Sequence, residues 1–312
     1  MKISLQKLVA EAQTTGFRPE ILEKVAHLLL LLNAIQSHPF LKGKLALKGG
    51  TALNLFVLEI PRLSVDIDLN YIGAEDKETM LAERPKLEQT IQAAFERSGF
   101  TVRRIPDGHD HAGGKWSLRY ESALGQTGNL EVDLNFMFRV PLWPIVARDS
   151  LEIGVWRATE IPMLNYHELA AGKLAALLSR RQARDLFDSH RILQMDNLDS
   201  ELLRIGFVVY GAMNRKDWRT VSVNDVNFGA TELTSQLTPT LRRHTAGAKA
   251  ASLEFGKRLV DECRDRLSVL LPLRDTEREF LDLLLDKGVI EPSSLTSDEG
   301  LQRAIQRQPL LE

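Results

Sequence analysis

The sequence predicts an α+β protein: a mixed α/β half over residues 1–160 and a mainly α-helical half over residues 161–312. Three observations carry this. Before about position 160, short alternating or β-branched runs lie between clusters of glycine, proline and asparagine, the pattern of strands joined by turns. Two longer runs in the same half repeat their apolar residues at helical spacing. After about position 160 the texture changes, and long helical runs such as HELAAGKLAALLSRRQARDLFDSHRIL follow with little that resembles a strand.

The elements read in order as follows. EILEKVAHLLLLLNAIQ (20–36) is a buried helix, ended by the turn at His38-Pro39. LALK (45–48) is a short strand running into Gly49-Gly50. TALNLFVLE (51–59) reads as a helix that Thr51 is placed to cap and Pro61 stops. SVDIDLNYI (64–72) alternates apolar and polar residues, so it is a strand with one buried face. A charged amphipathic helix spans 77–98 and ends at Gly99. TVRRI (101–105), WSLRYES (116–122) and LEVDLNFMF (130–138) are strands separated by PDGHDHAGG and GQTGN. No internal repeat or low-complexity segment is present.

Composition narrows the class. With 312 residues and 44% hydrophobic content, the chain can bury a sizeable core in two subdomains. A net charge of -2 supplies no global basic field, so nucleic acid would have to be held by local patches. The single cysteine, Cys263, excludes an intramolecular disulfide framework and suits a reducing compartment. The N-terminus is polar and amphipathic, and the longest apolar run, LLLLL at 28–32, is too short for a bilayer. These features predict a soluble cytoplasmic protein with no membrane partner.

The stretch LKGGTALNLFVLEIPRLSVDIDLNY holds the first chemistry. In VDIDL, Val65, Ile67 and Leu69 face one way, and Asp66 and Asp68 face the other. Two carboxylates on one strand face repel each other unless something positive sits between them, and paired oxygen ligands suit Mg²⁺. A D-x-D alone is equally the solvated face of an edge strand. The Gly-Gly turn before it exposes backbone N–H groups at the positive end of a helix, a setting that favours phosphate. Together they describe a triphosphate resting on the turn with two magnesium ions on the aspartates. A third carboxylate on a neighbouring strand is then needed to complete a two-metal site. LEVDLNF places Glu131, Asp133 and Asn135 on one face. Asp133 is the first choice and Glu131 the reserve.

In the second half, GKLAALLSRRQARDLFD offers Lys173, Arg180, Arg181, Arg184, Asp185 and Asp188. On one continuous helix, Lys173, Arg180, Arg184 and Asp188 would fall within an arc of roughly 80°. That stripe fits phosphate contacts or a solvated face laced with ion pairs, and a break near Gln182 would void the arc.

GGTALN…PRLSVDIDLN followed by VDLNFMFRVPL resembles the minimal nucleotidyltransferases of the DNA polymerase beta superfamily, and most closely the AbiEii/AbiGii toxins, including MenT-type members. Gly49, Gly50, Asp66 and Asp68 match the signature hG[GS]-x(n)-Dh[DE]h. Arg62, Ser64, Asp66 and Asp68 match R-x-S-x-D-x-D. Lys173, Arg184, Asp185 and Asp188 match K-x(n)-RD-x-x-D.

The resemblance implies a polymerase-beta-like core followed by a helical domain that completes the NTP site and contacts the acceptor. It implies Mg²⁺-dependent transfer of NMP from an NTP, with Asp66, Asp68 and Asp133 as metal ligands. Gly49, Gly50, Thr51, Arg62, Ser64, Lys173 and Asp185 would serve nucleotide binding, Lys173 on the phosphates and Asp185 supporting the pocket or Lys173. Asp188 would instead pin the helix junction. A tRNA 3′ end as acceptor, a block to translation, and a cognate antitoxin in a toxin–antitoxin or abortive-infection system are implied in the same way. Transfer to a protein hydroxyl or small molecule, and a non-catalytic binding module of the same fold, remain the alternatives.

Weaker signals are the pair His109 and His111 with Asp107 and Asp110, which have ligand-like spacing in a surface loop. Arg139, Arg180, Arg181 and the pair Arg242-Arg243, the last assigned to the helical domain, are candidates for RNA phosphates, as are Lys249, Lys257 and Arg258 for a modest basic patch. Cys263 reads as partly buried helix filler.

Overall fold

The computed structural model describes residues 2–106, 112–243 and 252–312. The chain divides into two compact units, one of Met1–Arg139, Ile145–Leu164 and Thr240–Thr245, the other of Val140–Pro144, Asn165–Pro239 and Ala246–Glu312. His109, His111, Asp107, Asp110 and Lys249 lie outside the described residues.

The first unit begins with helices α1 (Leu5–Thr15) and α2 (Pro19–Gln36). Proline at the first position of α2 starts the helix without losing an internal hydrogen bond. Strand β1 (Leu45–Lys48) leads into the one-turn helix α3 (Gly49–Ala52), then a π-helical turn at Leu53–Val57. Strand β2 (Asp66–Tyr71) is followed by α4 (Lys77–Arg97), whose first turn is capped by the Asp76 carboxylate accepting from the Thr79 amide at 2.7 Å. Strands β3 (Thr101–Arg104), β4 (Gly113–Glu121), β5 (Thr127–Asn135), β6 (Val146–Arg148) and β7 (Ile161–Met163) complete the sheet.

The seven strands run in the order β3-β4-β5-β2-β1-β7-β6. β2 pairs with β5 in parallel and β1 with β7 in parallel, and the remaining neighbours are antiparallel, so the sheet is mixed as expected. The apolar face is built from Ile67, Leu69, Trp116, Leu118, Leu130, Val132 and Leu134, all 3% exposed or less. Helix α2 packs against β5, β7 and α4. Each such side chain contributes about 1.5–3 kcal/mol by leaving water, and a one-residue slip in any strand would turn it outward. Burial of this face therefore fixes the register of the opposite face.

Three local readings change. The helix after the glycine turn starts at Gly49 rather than Thr51. Thr51 is fully buried, and its hydroxyl donates to the carbonyl of Asp66, tying the turn to β2. The strand at 130–138 stops at Asn135, whose side chain accepts from the amides of Met137 and Phe138 and turns the chain. The short strands β6 and β7 carry no alternating signature, because three residues are too few to show a period.

The second unit is helical. Its α5 (Tyr166–Ser179) is capped by Asn165 and buried on almost every side, α6 spans Ala183–Ile192, and α7 spans Ser200–Ala212. α5 packs on α7 and α6, and α6 on the helix Leu253–Arg266. The buried pair Arg204–Glu277, at 2.6 Å, ties α7 to the helix Asp275–Lys287. Cys263 is fully rather than partly buried, and burial pushes its thiol up to about 12.

Candidate active site

The pairing registers carry two rows of polar residues across the face opposite the core. Lys48, Asp68, Asp133 and Lys115 are successive partners on β1, β2, β5 and β4. One step along, Asp66, Glu131, Ser117 and Arg104 are successive partners on β2, β5, β4 and β3. Partners in a sheet project to the same side, so both aspartates of the D-x-D, both acidic residues of β5 and three cations share one face. Asp66, Asp68, Glu131 and Asp133 are half-buried, intermediate between core and open surface.

Lys115 bonds Glu131 at 2.9 Å, and that hydrogen bond, reinforced by the nearby charges of Asp133 and Asp66, raises its pKa. Glu131 is thus committed to a lysine, while Asp133 stands directly opposite Asp68. Lys48, at the other end of the row, places its ammonium 5.0 Å from the Phe138 ring centroid.

The glycine turn abuts the carboxylates. Gly49 has φ +70, a conformation costly for residues with a side chain, and a Cβ there would collide with the Asp68 carboxylate. The Asn54 amide donates to the Gly50 carbonyl at 2.9 Å, and the Thr51 bond to Asp66 closes the turn onto the strand. Arg62 is 2% exposed and donates to the Leu63 carbonyl at 2.9 Å, an inward position from which it shapes the loop entering β2. Ser64 is buried in the same loop, just before β2.

The face suits a hard cation in its donor set, which is all oxygen. It also carries an acceptor short of donors: Asn70, next on the same face and 1% exposed, has an Oδ1 without a hydrogen-bond partner among the described residues. As placed, no three His, Cys, Asp or Glu groups converge on a point among the described residues.

In the second unit the helical run breaks near Gln182, the alternative that voids the arc. Arg180 is extended, Gln182 opens α6, and the arc that assumed continuity does not apply. Lys173 is not on a solvated face: it is buried, 2.9 Å from Asp185 and 3.2 Å from Asp188, and Arg180 reaches Asp185 at 2.9 Å. Lys173, Asp185 and Asp188 of the motif K-x(n)-RD-x-x-D, with Arg180, therefore form an ion cluster pinning α5 to α6 across the break.

Two proposed RNA contacts are engaged internally. Arg139 is buried, with its guanidinium on the carbonyls of Glu75 and Phe136. Arg242 donates to the Thr15 carbonyl and lies 4.5 Å from the Phe17 ring centroid, so the Arg242-Arg243 pair belongs to the first unit rather than the helical one. Arg104 and Lys115 were missed by sequence reasoning, since only strand register shows that they share the carboxylate face.

The chain resembles MenT4, a nucleotidyltransferase toxin from Mycobacterium tuberculosis H37Rv, with a TM-score of 0.61 and 16% identity, over 96% of this chain and 97% of that one. That likeness shows the shared fold. A comparison with curated proteins gives no match. The model of the family described as nucleotidyl transferase AbiEii toxin, type IV toxin–antitoxin system, matches residues 30–275. The chain therefore belongs to the AbiEii family of nucleotidyltransferase toxins.

Proposed function

We propose that this nucleotidyltransferase transfers NMP from a magnesium-bound NTP to the 3′ end of a tRNA and so blocks translation. The observation that carries the reading is the direct pairing of Asp68 with Asp133 on neighbouring strands, beside the glycine turn that presses on Asp68. Asp66, Asp68 and Asp133 would hold two Mg²⁺ ions, which when bound neutralise phosphate charge and lower the pKa of the acceptor hydroxyl.

The chain's own groups do the rest. The Gly49-Gly50 turn presents bare backbone to the β- and γ-phosphates, the Thr51 hydroxyl ties it to β2, and Arg62 and Ser64 serve the same nucleotide site. Asp133 orients the acceptor hydroxyl and takes its proton. The hydroxyl oxygen bonds the α-phosphorus, the bond from that phosphorus to the bridging oxygen breaks, and pyrophosphate leaves. Lys173 is the proposed phosphate cation of the helical unit, and Asp185 and Asp188 hold it in place.

A cognate antitoxin restrains the activity in a cytoplasmic setting. Among the described residues no helix is long and apolar enough to cross a membrane. The test is incubation of purified protein with total tRNA, Mg²⁺ and each labelled NTP in turn. Label on tRNA is the expected result. Label on a protein or small molecule with none on tRNA would replace the acceptor.

A further inference from the structure

Beside Asp133 the carboxylate face continues into a cavity of about 290 Å³, lined by Arg104, Pro106, Gly114, Lys115, Asp133 and Asn135 among others. Its size is near the lower end of ligand clefts, about 300–1,000 Å³. It would take one nucleotide-sized unit and not a duplex.

Two cations border it, and each is placed by the sheet. Lys115 is the direct partner of Asp133. Arg104 reaches the same face through an irregularity in β3: Val102 pairs with Leu118, but the next partner, Ser117, is taken by Arg104 rather than Arg103. The extra residue of a bulge re-aims a side chain, and here it brings the exposed Arg104 into line with Ser117, Glu131 and Asp66. Gly113 and Gly114 let Pro106 and the Leu134 carbonyl approach β4 closely here, since a Cβ on Gly114 would collide with Pro106 and one on Gly113 with the Leu134 carbonyl.

We propose that this cavity seats the terminal nucleotide of the single-stranded RNA acceptor, with Lys115 and Arg104 on its phosphates and its hydroxyl turned to Asp133. The assignment rests on the proposed RNA nucleotidyltransfer. A polyanion is favoured over a neutral acceptor because two cations border the cavity, and in strand order both stand on the far side of Asp133 from Asp68 and the glycine turn, away from the proposed triphosphate seat. The Lys115 side chain is 44% exposed, and among the described residues only one carboxylate, Glu131, pairs with it, at 2.9 Å, so its ammonium has room to share a phosphate.

The test compares wild type, Lys115→Ala, Arg104→Ala and Lys115→Arg in a labelled-NTP transfer assay, titrating a short single-stranded RNA and tRNA at several salt concentrations. The acceptor KM should rise on the order of tenfold for each alanine variant, and the salt slope should fall by about 0.7 for each phosphate that the variant leaves without a cation. NTP affinity, measured by separate titration, should not change, and Lys115→Arg should recover most of the acceptor affinity. Both side chains are exposed, and unchanged thermal unfolding will separate these effects from misfolding. If wild type labels RNA and the variants keep its acceptor KM and salt slope, the cavity assignment falls while the proposed activity stands. If wild type labels no RNA but labels a protein or small hydroxyl compound, the activity is wrong and the assignment falls with it.

Discussion

The carboxylate of Asp68 fills the space that a side chain on Gly49 would need. The turn and the D-x-D are thus one mechanical piece, and moving either moves the other. Gly49→Ala should cost about 1–2 kcal/mol from its left-handed φ. Displacing the carboxylate should lower transfer on the order of a hundredfold, as misplacements of about 1 Å do. Chemical denaturation and a label-transfer rate measure the two effects, and near-normal transfer would break the link between turn and carboxylate.

Asp133 and Glu131 should separate sharply. Asp133→Ala should abolish transfer with the fold intact, since a half-exposed carboxylate contributes little to stability. Glu131→Ala should keep part of the activity, because its partner is Lys115. The opposite ranking would mean that the acid of the Asp66 row is the third ligand.

Lys173 should report on stability as well as on nucleotide. Removing it takes a buried cation from Asp185 and Asp188 and leaves Arg180 on Asp185, at a cost of up to about 3–5 kcal/mol. Lys173→Ala should therefore lower the unfolding midpoint. Combining Lys173→Met with Asp185→Asn and Asp188→Asn should restore the midpoint without restoring NTP affinity. A triple variant that binds NTP normally would leave the cluster a purely structural role.

Glu168 sets a pH dependence in the helical unit. Burial, only partly offset by hydrogen bonds from the Leu142 amide and the Tyr210 hydroxyl, raises its pKa from 4.5 to about 7. The folded state then holds its proton more tightly than the unfolded state, so stability falls as pH rises between these values and levels off above. The loss from pH 5 to pH 8 should be on the order of 3 kcal/mol. Glu168→Gln should remove it in thermal unfolding at the two pH values, and an unchanged pH slope would place the titration elsewhere.

The strands that carry Asp66, Asp68 and Asp133 were readable because one buried face imposes strict alternation on Ile67, Leu69, Val132 and Leu134. Their neighbours were not. That Lys115 and Arg104 share the carboxylate face depends on cross-strand pairing and on an irregularity in β3, which leave no period in the sequence. The break at Arg180–Gln182 was open in the sequence only as an alternative, because the residues on either side are good helix formers. Thr51 reads as a cap from its residue type, yet a partner distant in sequence, Asp66, takes its hydroxyl.

The parallel partnership of β2 and β5 also bears on how the proposed site is completed as the chain is made. The strand bearing Asp68 leaves the ribosome first, and a helix and two further strands must follow before β5 can lie beside it. Pairing so remote in sequence is slow, because a long loop must close before any contact rewards it. A partly made chain therefore carries its first two aspartates without the third. In the proposed site the acidic cluster is thus completed only when β5 closes onto β2, well after the first two aspartates have been made.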